Sequence, residues 1–80
     1  MKYTKTYYHY ADDTRSVDKY INAENQIEIV VERTSFSGNA ITGYTLTIGS
    51  VELSCYQTLG DAKDRAEWYL RNPEYIRQAI

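Results

Sequence analysis

The residue types that most often bind zinc or pair as nucleophile and base occur only once each, as His9 and Cys55. A structural zinc site usually takes four cysteine or histidine ligands, so two are too few. A cysteine–histidine nucleophile pair needs an exposed thiol within reach of the imidazole. The hairpin register given below turns Cys55 inward beside Leu53. The sequence therefore predicts that Cys55 is a small buried core residue.

Carboxylates are the other candidates for chemistry. Asp12 and Asp13 are adjacent and could attract a cation, but the pair is more simply a loop or a helix start. Glu28, Glu32 and Glu52 fall on a predicted open sheet face, where nothing desolvates them and raises a pKa. The four glycines stand singly, and no phosphate-binding loop or Gly-x-Ser-x-Gly turn is present. We therefore expect no enzymatic activity, no metal and no cofactor.

Tyrosine is the unusual feature of the composition. Nine of the eleven aromatic residues are tyrosines, and four lie in the first ten positions: Tyr3, Tyr7, Tyr8 and Tyr10. Tyrosine gives a rigid contact area with a polar hydroxyl and is common at interface hot spots. It also favours strands and half-buried sheet positions, so each tyrosine has a structural alternative. We expect some members of the set to contact a partner.

The charge pattern argues against a nucleic-acid partner, and the hydropathy pattern argues against a membrane. Nine Lys and Arg against eleven Asp and Glu give a formal net charge of −2, and the basic residues are scattered along the 80-residue chain. A duplex-binding protein usually carries a basic stripe. No apolar run approaches the ~18 residues of a membrane helix, and no apolar stretch follows the first residues as in a secretory signal. We expect a single cytoplasmic domain over residues 1–80, with no disulfide.

Two segments alternate as strands do. Residues 2–10 place Tyr3, Lys5, Tyr7 and His9 on one face and Thr4, Thr6, Tyr8 and Tyr10 on the other. Residues 26–34 alternate Ile27, Ile29 and Val31 with Gln26, Glu28, Val30 and Glu32. Between them, residues 11–25 fit either of two structures: a short helix, or a loop followed by a strand at 17–22. The β-branched Val17 and Ile21 favour the strand.

The segment 43–56 predicts a hairpin around Gly49-Ser50. Glycine at the first turn position suits a type II′ turn. That turn pairs Ile48 with Val51, Leu46 with Leu53 and Tyr44 with Cys55, so that all six point to one side. Thr45, Thr47, Glu52 and Ser54 then lie on the other side.

Helical signals follow the hairpin. Thr58 and Asp61 have capping-box spacing, and Leu59, Ala62, Ala66, Tyr69 and Leu70 form an apolar stripe. Asn72-Pro73 ends this helix, and Pro73 opens a second short helix with Tyr75, Ile76, Ala79 and Ile80 facing inward. The elements together predict an α+β domain: three to four antiparallel strands with one or two C-terminal helices packed on one face.

Trp68 falls opposite the apolar stripe of the first helix, about 180° from Leu59. An exposed tryptophan on a charged helix face is typical of a partner-binding anchor. The structural alternative is that the segment after Pro73 folds back and covers it with Tyr75 or Ile76.

The small size, slight acidity, tyrosine-rich start and order of elements resemble the small phage-encoded inhibitors of host defence, including anti-CRISPR proteins. One such type runs four strands into two helices and opens with Met-Lys-aromatic-x-Lys, which Met1, Lys2, Tyr3 and Lys5 match. The segment 56–63, Tyr-Gln-Thr-Leu-Gly-Asp-Ala-Lys, resembles a strand-to-helix junction common in small phage reading frames. The resemblance implies a stoichiometric inhibitor in the host cytoplasm that blocks a nucleic-acid-binding surface of a defence complex.

Three hypotheses follow for function. The first is a non-enzymatic inhibitor that binds a host protein, or a protein–nucleic-acid complex, through aromatic and acidic residues. The second is a nucleic-acid module in which tyrosines stack on bases while Lys2, Lys5 and Lys19 contact phosphates. The third is a homo-oligomer, such as a dimer, that pairs through the N-terminal strand. The residues predicted to bind a partner are Tyr7, Tyr8, Tyr10, Glu28, Glu32 and Trp68.

Overall fold

The protein is an α+β fold in which two C-terminal helices follow a five-stranded antiparallel sheet. The computed structural model describes residues 2–9, 15–34 and 40–78. The strands are β1 (Thr4–His9), β2 (Arg15–Asn22), β3 (Ile27–Thr34), β4 (Ala40–Ile48) and β5 (Val51–Tyr56). The helices are α1 (Leu59–Arg71) and α2 (Glu74–Gln78). The strands lie in chain order, β1-β2-β3-β4-β5, so the sheet is a simple meander.

The strand count differs from the prediction of three to four. The difference comes from the ambiguous stretch 11–25, of which residues 15–22 form strand β2. Val17 and Ile21 lie in β2, and the strand pairs with β1 on one side and β3 on the other. This pairing holds the β-branched residues extended, whereas a helix there would have left β1 without a neighbour. The predicted strand at 17–22 is confirmed and begins earlier, at Arg15.

The core lies between α1 and the centre of the sheet. Ile27, Ile29 and Val31 of β3 and Leu46 of β4 are fully buried. Ala62 and Ala66 of α1 are also fully buried, and their small side chains allow the helix to approach β3, β4 and β5 closely. The predicted alternation of β3 and the predicted helical stripe are both confirmed at these positions.

The turn between β4 and β5 is of a different type from the one predicted. Gly49 and Ser50 both have positive φ, of 56° and 68°. Positive φ at both central residues defines a type I′ turn, whereas type II′ has it at the first residue alone. The type I′ backbone twist matches that of the flanking strands. In addition, the Gly49 N–H donates to the Gln26 carbonyl at 3.0 Å, which ties this turn to the one between β2 and β3.

The predicted register of this hairpin is correct for the Ile48–Val51 and Thr47–Glu52 pairs and wrong beyond them. An irregularity leaves Leu53 without a partner, so that Leu46 lies opposite Ser54, Thr45 opposite Cys55 and Tyr44 opposite Tyr56. The bulge puts the two tyrosines side by side against the core. Cys55 is therefore exposed, and the prediction of a buried cysteine was wrong. Burying a tyrosine ring removes more apolar area from water than burying a thiol, which accounts for the exchange.

Both helix boundaries follow the predicted signals. The Thr58 hydroxyl accepts a hydrogen bond from the Asp61 N–H at 3.1 Å, as an N-cap does. At the other end the Asn72 N–H donates to the Tyr69 carbonyl at 3.1 Å, and Pro73 leads into α2. Ile76 packs against the core as predicted. Tyr75, predicted to face inward, is 45% exposed. Ala79 and Ile80 lie outside the described residues.

Candidate protein-binding surface

Strand β1 is exposed on both of its faces. All six of its residues are exposed, and the Tyr7 and Tyr8 side chains keep 61% and 60% of their area in solvent. Among the described strands β1 pairs only with β2, so it forms one edge of the sheet. Two large aromatic groups on an edge strand are the most prominent apolar exposure in the described part of the chain. Tyr10, the third predicted contact residue of this segment, lies outside it.

Tyr8 lies on the face of the sheet opposite α1. The strand register places Tyr8 beside Val17, and Val17 beside Glu32, in one row across three strands. A shallow groove of about 320 Å³ lies at the β1 and β2 end of this row and is lined by Thr6, Tyr7, Tyr8, Val17 and Lys19. We call β1 together with Val17 and Lys19 the edge surface.

Glu28 and Glu32 lie on the same open face as Tyr8. Lys19 Nζ is 3.7 Å from Glu28 Oε1, and Arg15 Nη1 is 3.4 Å from Glu32 Oε1. The side chains of these four residues retain between 33% and 48% of their area in solvent. Exposed pairs of this kind contribute little stability, about 0–1 kcal/mol each. The Glu28 and Glu32 carboxylates therefore lie next to the edge surface. Each belongs to a weak ion pair that can exchange its basic partner for another.

Tyr7 points to the other face, the one that carries α1. Its cross-strand partner is Asp18, and its ring lies 6.0 Å from the His9 ring in an edge-to-face arrangement. Asp18 is 3% exposed, and its Oδ2 lies 3.9 Å from Lys5 Nζ. The sequence reasoning missed Asp18. Only the strand register shows that Asp18 is buried, because the register places it on the same face of the sheet as the buried Val31 of β3.

The beginning of β1 is fixed to the rest of the molecule by Asn22. The Asn22 side chain is buried, donates to the Lys2 carbonyl at 2.8 Å and accepts from the Asn25 N–H at 2.9 Å. Nearby, Lys63 of α1 places its Nζ 4.9 Å from the Tyr3 ring centre and 5.8 Å from the Tyr20 ring centre. These cation–π contacts are worth about 0.5–1 kcal/mol at exposed sites. The edge strand is therefore held in place before it extends to Tyr7 and Tyr8.

Burial also changes the acidity of the Tyr3 hydroxyl, at the start of the edge strand. Desolvation, and secondarily the negative charge of Glu67, raise the pKa of Tyr3 above its ordinary value of 10.0. The Tyr3 hydroxyl therefore stays protonated and neutral over a wider pH range than that of a free tyrosine.

Trp68 belongs to a separate aromatic cluster on the helices. It is half-buried, with the Tyr75 ring centre 4.9 Å away and the Tyr69 ring centre 5.2 Å away. The Arg65 guanidinium lies 4.0 Å from the centre of its ring. Tyr75 supplies part of the cover that the structural alternative predicted for Trp68, and the indole remains half-buried rather than enclosed. Trp68 is on α1, whereas Tyr7 and Tyr8 are on β1, so the fold does not bring these predicted residues together on one element.

The geometry keeps His9 and Cys55 apart. They lie on β1 and β5, which form the two opposite edges of the sheet. Four strand spacings separate those edges, or about 19 Å. A cysteine–histidine pair therefore does not form, although the thiol is exposed. Among the described residues no group of three or more histidine, cysteine or acidic side chains could hold a metal ion.

Comparison with known proteins does not show a family or a function for this chain. No protein-family model matches the chain, and no similar curated protein or solved structure was found. Within the described ranges, neither helix is long and apolar enough to cross a membrane.

Proposed function

We propose that this protein is a non-enzymatic inhibitor that binds a partner protein through the edge surface. The observation that carries the proposal is the exposure of Tyr7 and Tyr8 on an edge strand anchored by Asn22. Each ring exposes on the order of 100 Å² of surface. Covering that area is worth about 2–3 kcal/mol at ~25 cal/mol per Å². That is the size of an interface hot spot.

The target we propose is a nucleic-acid-binding surface of a host defence complex, with the inhibitor encoded by a phage and acting in the host cytoplasm. The resemblance of the sequence to small phage inhibitors supports this target. Such a surface presents Lys and Arg side chains that normally hold phosphate. Glu28 and Glu32 would exchange Lys19 and Arg15 for these groups, because their present ion pairs are weak and exposed.

Aromatic stacking would add to the charge contacts. A guanidinium of the target can lie over the exposed Tyr8 ring, as Arg65 lies over Trp68 within this protein. Tyr10 continues the same segment of sequence and is proposed as a further contact. Trp68 is proposed as a secondary contact, presented together with Arg65 and Tyr75 on the helices.

The test is an affinity pull-down of the tagged protein from host extract, with and without nuclease, read by mass spectrometry. We expect a stoichiometric protein that survives nuclease treatment. A Tyr7→Thr/Tyr8→Thr variant keeps β-propensity while removing both rings, and should weaken capture on the order of 1000-fold, which corresponds to about 4 kcal/mol. The control is Gln57→Thr, an exposed change directly after β5 and outside the proposed contacts, which should leave capture unchanged.

Three results would count against the proposal. Recovery that depends on nucleic acid would favour a base-stacking module instead. Return of the bait alone would favour self-association through β1. Equal capture by wild type and by the double variant, with circular dichroism showing both folded, would move the interface away from the edge surface.

A further inference from the structure

The row of Tyr8, Val17 and Glu32 on the open face has two unlike ends. The register places these residues side by side on three adjacent strands. Neighbouring strands lie ~4.8 Å apart, so the Tyr8 and Glu32 backbones are separated by about 10 Å. The short Val17 side chain lies between them, and the groove of about 320 Å³ is lined by both Tyr8 and Val17. The row therefore presents an aromatic ring at one end, an apolar floor and a carboxylate at the other end.

This combination suits a guanidinium group better than an ammonium group. A guanidinium is planar and weakly hydrated, stacks on aromatic rings and donates from its edge to a carboxylate. Within this protein the guanidinium carbon of Arg65 lies 4.0 Å from the centre of the Trp68 ring. The same spacing from Tyr8, followed by N–H···O bonds of ~2.8 Å to Glu32, spans most of the ~10 Å between the two strands. A lysine ammonium is a compact, strongly hydrated charge with no planar face to stack.

Arg15 shows that Glu32 accepts a guanidinium. Arg15 Nη1 donates to Glu32 Oε1 at 3.4 Å, which is longer than the ~2.7–2.9 Å of a well-formed charge-assisted hydrogen bond. The two side chains keep 46% and 33% of their area in solvent. An exposed pair with this geometry contributes little stability, so a better-placed guanidinium can replace Arg15.

We infer that Tyr8, Val17 and Glu32 form a slot for one arginine side chain of the partner, and that Arg15 partly closes this slot in the free protein. We call these three residues the arginine slot. The inference rests on the proposed function, and it specifies the partner side chain and an internal contact that limits affinity. The incoming arginine takes Glu32 from Arg15 and also covers the Tyr8 ring, which Arg15 leaves 60% exposed. Arg15 then turns into solvent.

The other charges near the slot are already balanced. Lys19 lines the groove, and its Nζ lies 3.7 Å from Glu28 Oε1. Lys5 and Asp18 form their ion pair on the opposite face of the sheet. Because the incoming arginine replaces Arg15 at the same carboxylate, the number of positive charges beside that carboxylate does not rise. Charge complementarity therefore selects a basic side chain for this slot.

The test uses the full chain and a blocked Gly-Arg-Gly peptide, with amide NMR shifts followed at constant ionic strength. We expect saturable binding with a Kd on the order of millimolar and the largest shifts at Tyr8, Val17 and Glu32. The matching lysine peptide should bind about fivefold more weakly, because it does not stack or donate from a planar edge. A citrulline peptide keeps the planar shape without the charge and should show no saturable binding.

Protein variants locate the arginine in the slot. Glu32→Gln and Tyr8→Thr should each weaken binding of the arginine peptide about fivefold. Tyr8→Phe keeps the ring and should bind as the wild type does. The matched control for the charge is Glu74→Gln, an exposed change on α2, which should leave binding unchanged. Circular dichroism melts establish that each variant is folded.

Arg15→Gln should act in the opposite direction and tighten peptide binding about threefold, because Glu32 is then no longer shared. Arg71→Gln makes the same change of net charge at an exposed position on α1 and should leave binding unchanged. A gain in affinity that is confined to Arg15→Gln is a result that loss of folding does not produce.

The outcomes separate this inference from the proposed function. Equal binding of the arginine and lysine peptides, or shifts centred away from the row, overturns the arginine slot. Unchanged or weaker binding by folded Arg15→Gln overturns the role of Arg15. Self-association of the wild type that the arginine peptide reverses overturns the assignment to a partner, in favour of a second copy. If the slot fails while the pull-down still captures a partner that requires Tyr7 and Tyr8, the proposed function stands and the arginine slot alone is wrong.

Discussion

Tyrosine has at least three environments in this protein, although the side chain is the same. Tyr7 and Tyr8 are mostly in solvent. Tyr3 is half-buried beneath Lys63, and Tyr44 is packed against the core. The neighbours that decide among these environments come from other elements, namely β2, β3, β5 and α1. Sequence reasoning could single out the tyrosines as a set, but it could not assign each one its role.

The Tyr3 environment predicts how stability depends on pH. Since the folded-state pKa of Tyr3 is raised above 10.0, folded Tyr3 keeps a proton that the unfolded chain loses. Its contribution to stability is therefore fully present below pH 10 and is lost as the pH rises through the raised pKa. We expect the free energy of unfolding of the wild type to fall relative to Tyr3→Phe over that range.

Urea unfolding at pH values below and above 10 measures this difference. Glu67→Gln removes the secondary cause of the shift and should reduce the pH dependence without abolishing it, because burial is the larger cause. Parallel wild-type and Tyr3→Phe curves across the range would contradict the assignment.

At the scale of elements, the β4–β5 hairpin shows that a sequence pattern can predict the strands and the position of the turn correctly and still predict the wrong register. The turn position and the strong strand propensity were readable from the sequence. The bulge at Leu53 was not, because an extra residue is favoured only when Tyr56 can pack beside Tyr44. The bulge turns Cys55 outward next to Thr45, whose hydroxyl lies 3.8 Å from the sulfur.

Gly43 is the residue that makes room for this thiol. It has a φ of 104°, and a Cβ placed on it would lie 2.5 Å from Cys55 Sγ. We expect Gly43→Ala to destabilise the protein by about 1–3 kcal/mol through strain and the clash together. In a Cys55→Ala background the clash is removed and the penalty should shrink, leaving the backbone strain.

A double-mutant cycle of Gly43→Ala and Cys55→Ala, by chemical denaturation, measures that coupling. Gly60→Ala is the control, since a Cβ there meets only the Thr58 hydroxyl oxygen at 3.9 Å and alanine favours the helix. Strictly additive effects would show that the thiol does not occupy the space over Gly43.

At the scale of the whole molecule, one helix layer covers only part of the sheet. Helix α1 packs on β3, β4 and β5, which leaves the β1 side extended beyond it. The radius of gyration is 13.4 Å, larger than the ~11.6 Å expected for a compact domain of this length. The exposed edge surface is a direct consequence of this incomplete coverage.

The packing of α2 on α1 can be followed through Trp68, the sole tryptophan of the chain. Tyr75→Ala removes the ring that lies 4.9 Å away and should shift tryptophan emission to longer wavelength. The accompanying loss of stability should be about 0.5–1.5 kcal/mol, the usual worth of an aromatic pair. Trp68→Ala should be more destabilising, because the half-buried indole also contacts Tyr69 and Arg65.

Fluorescence spectra and circular dichroism melts measure the two effects. Arg71→Gln, an exposed change on the same helix, is the control and should alter neither. Unchanged emission in Tyr75→Ala would mean that α2 does not cover Trp68 in solution.

The sequence by itself determined the features that depend on neighbouring residues. The α+β class, the alternation of β3, the Thr58 cap, the end of α1 at Asn72-Pro73 and the turn at Gly49-Ser50 all follow from periodicity and local hydrogen bonding. The unusual tyrosine content near the start of the chain was equally visible.

Only the tertiary structure decided the features that depend on distant segments. Strand β2 replaced the helix alternative because β1 and β3 both pair with it. The exchange of Cys55 for Tyr56 in the core, the cover on Trp68 and the exposure of Tyr7 and Tyr8 are likewise set by which elements meet. Burial depends on what packs across a face, and neither periodicity nor propensity along the chain contains that information.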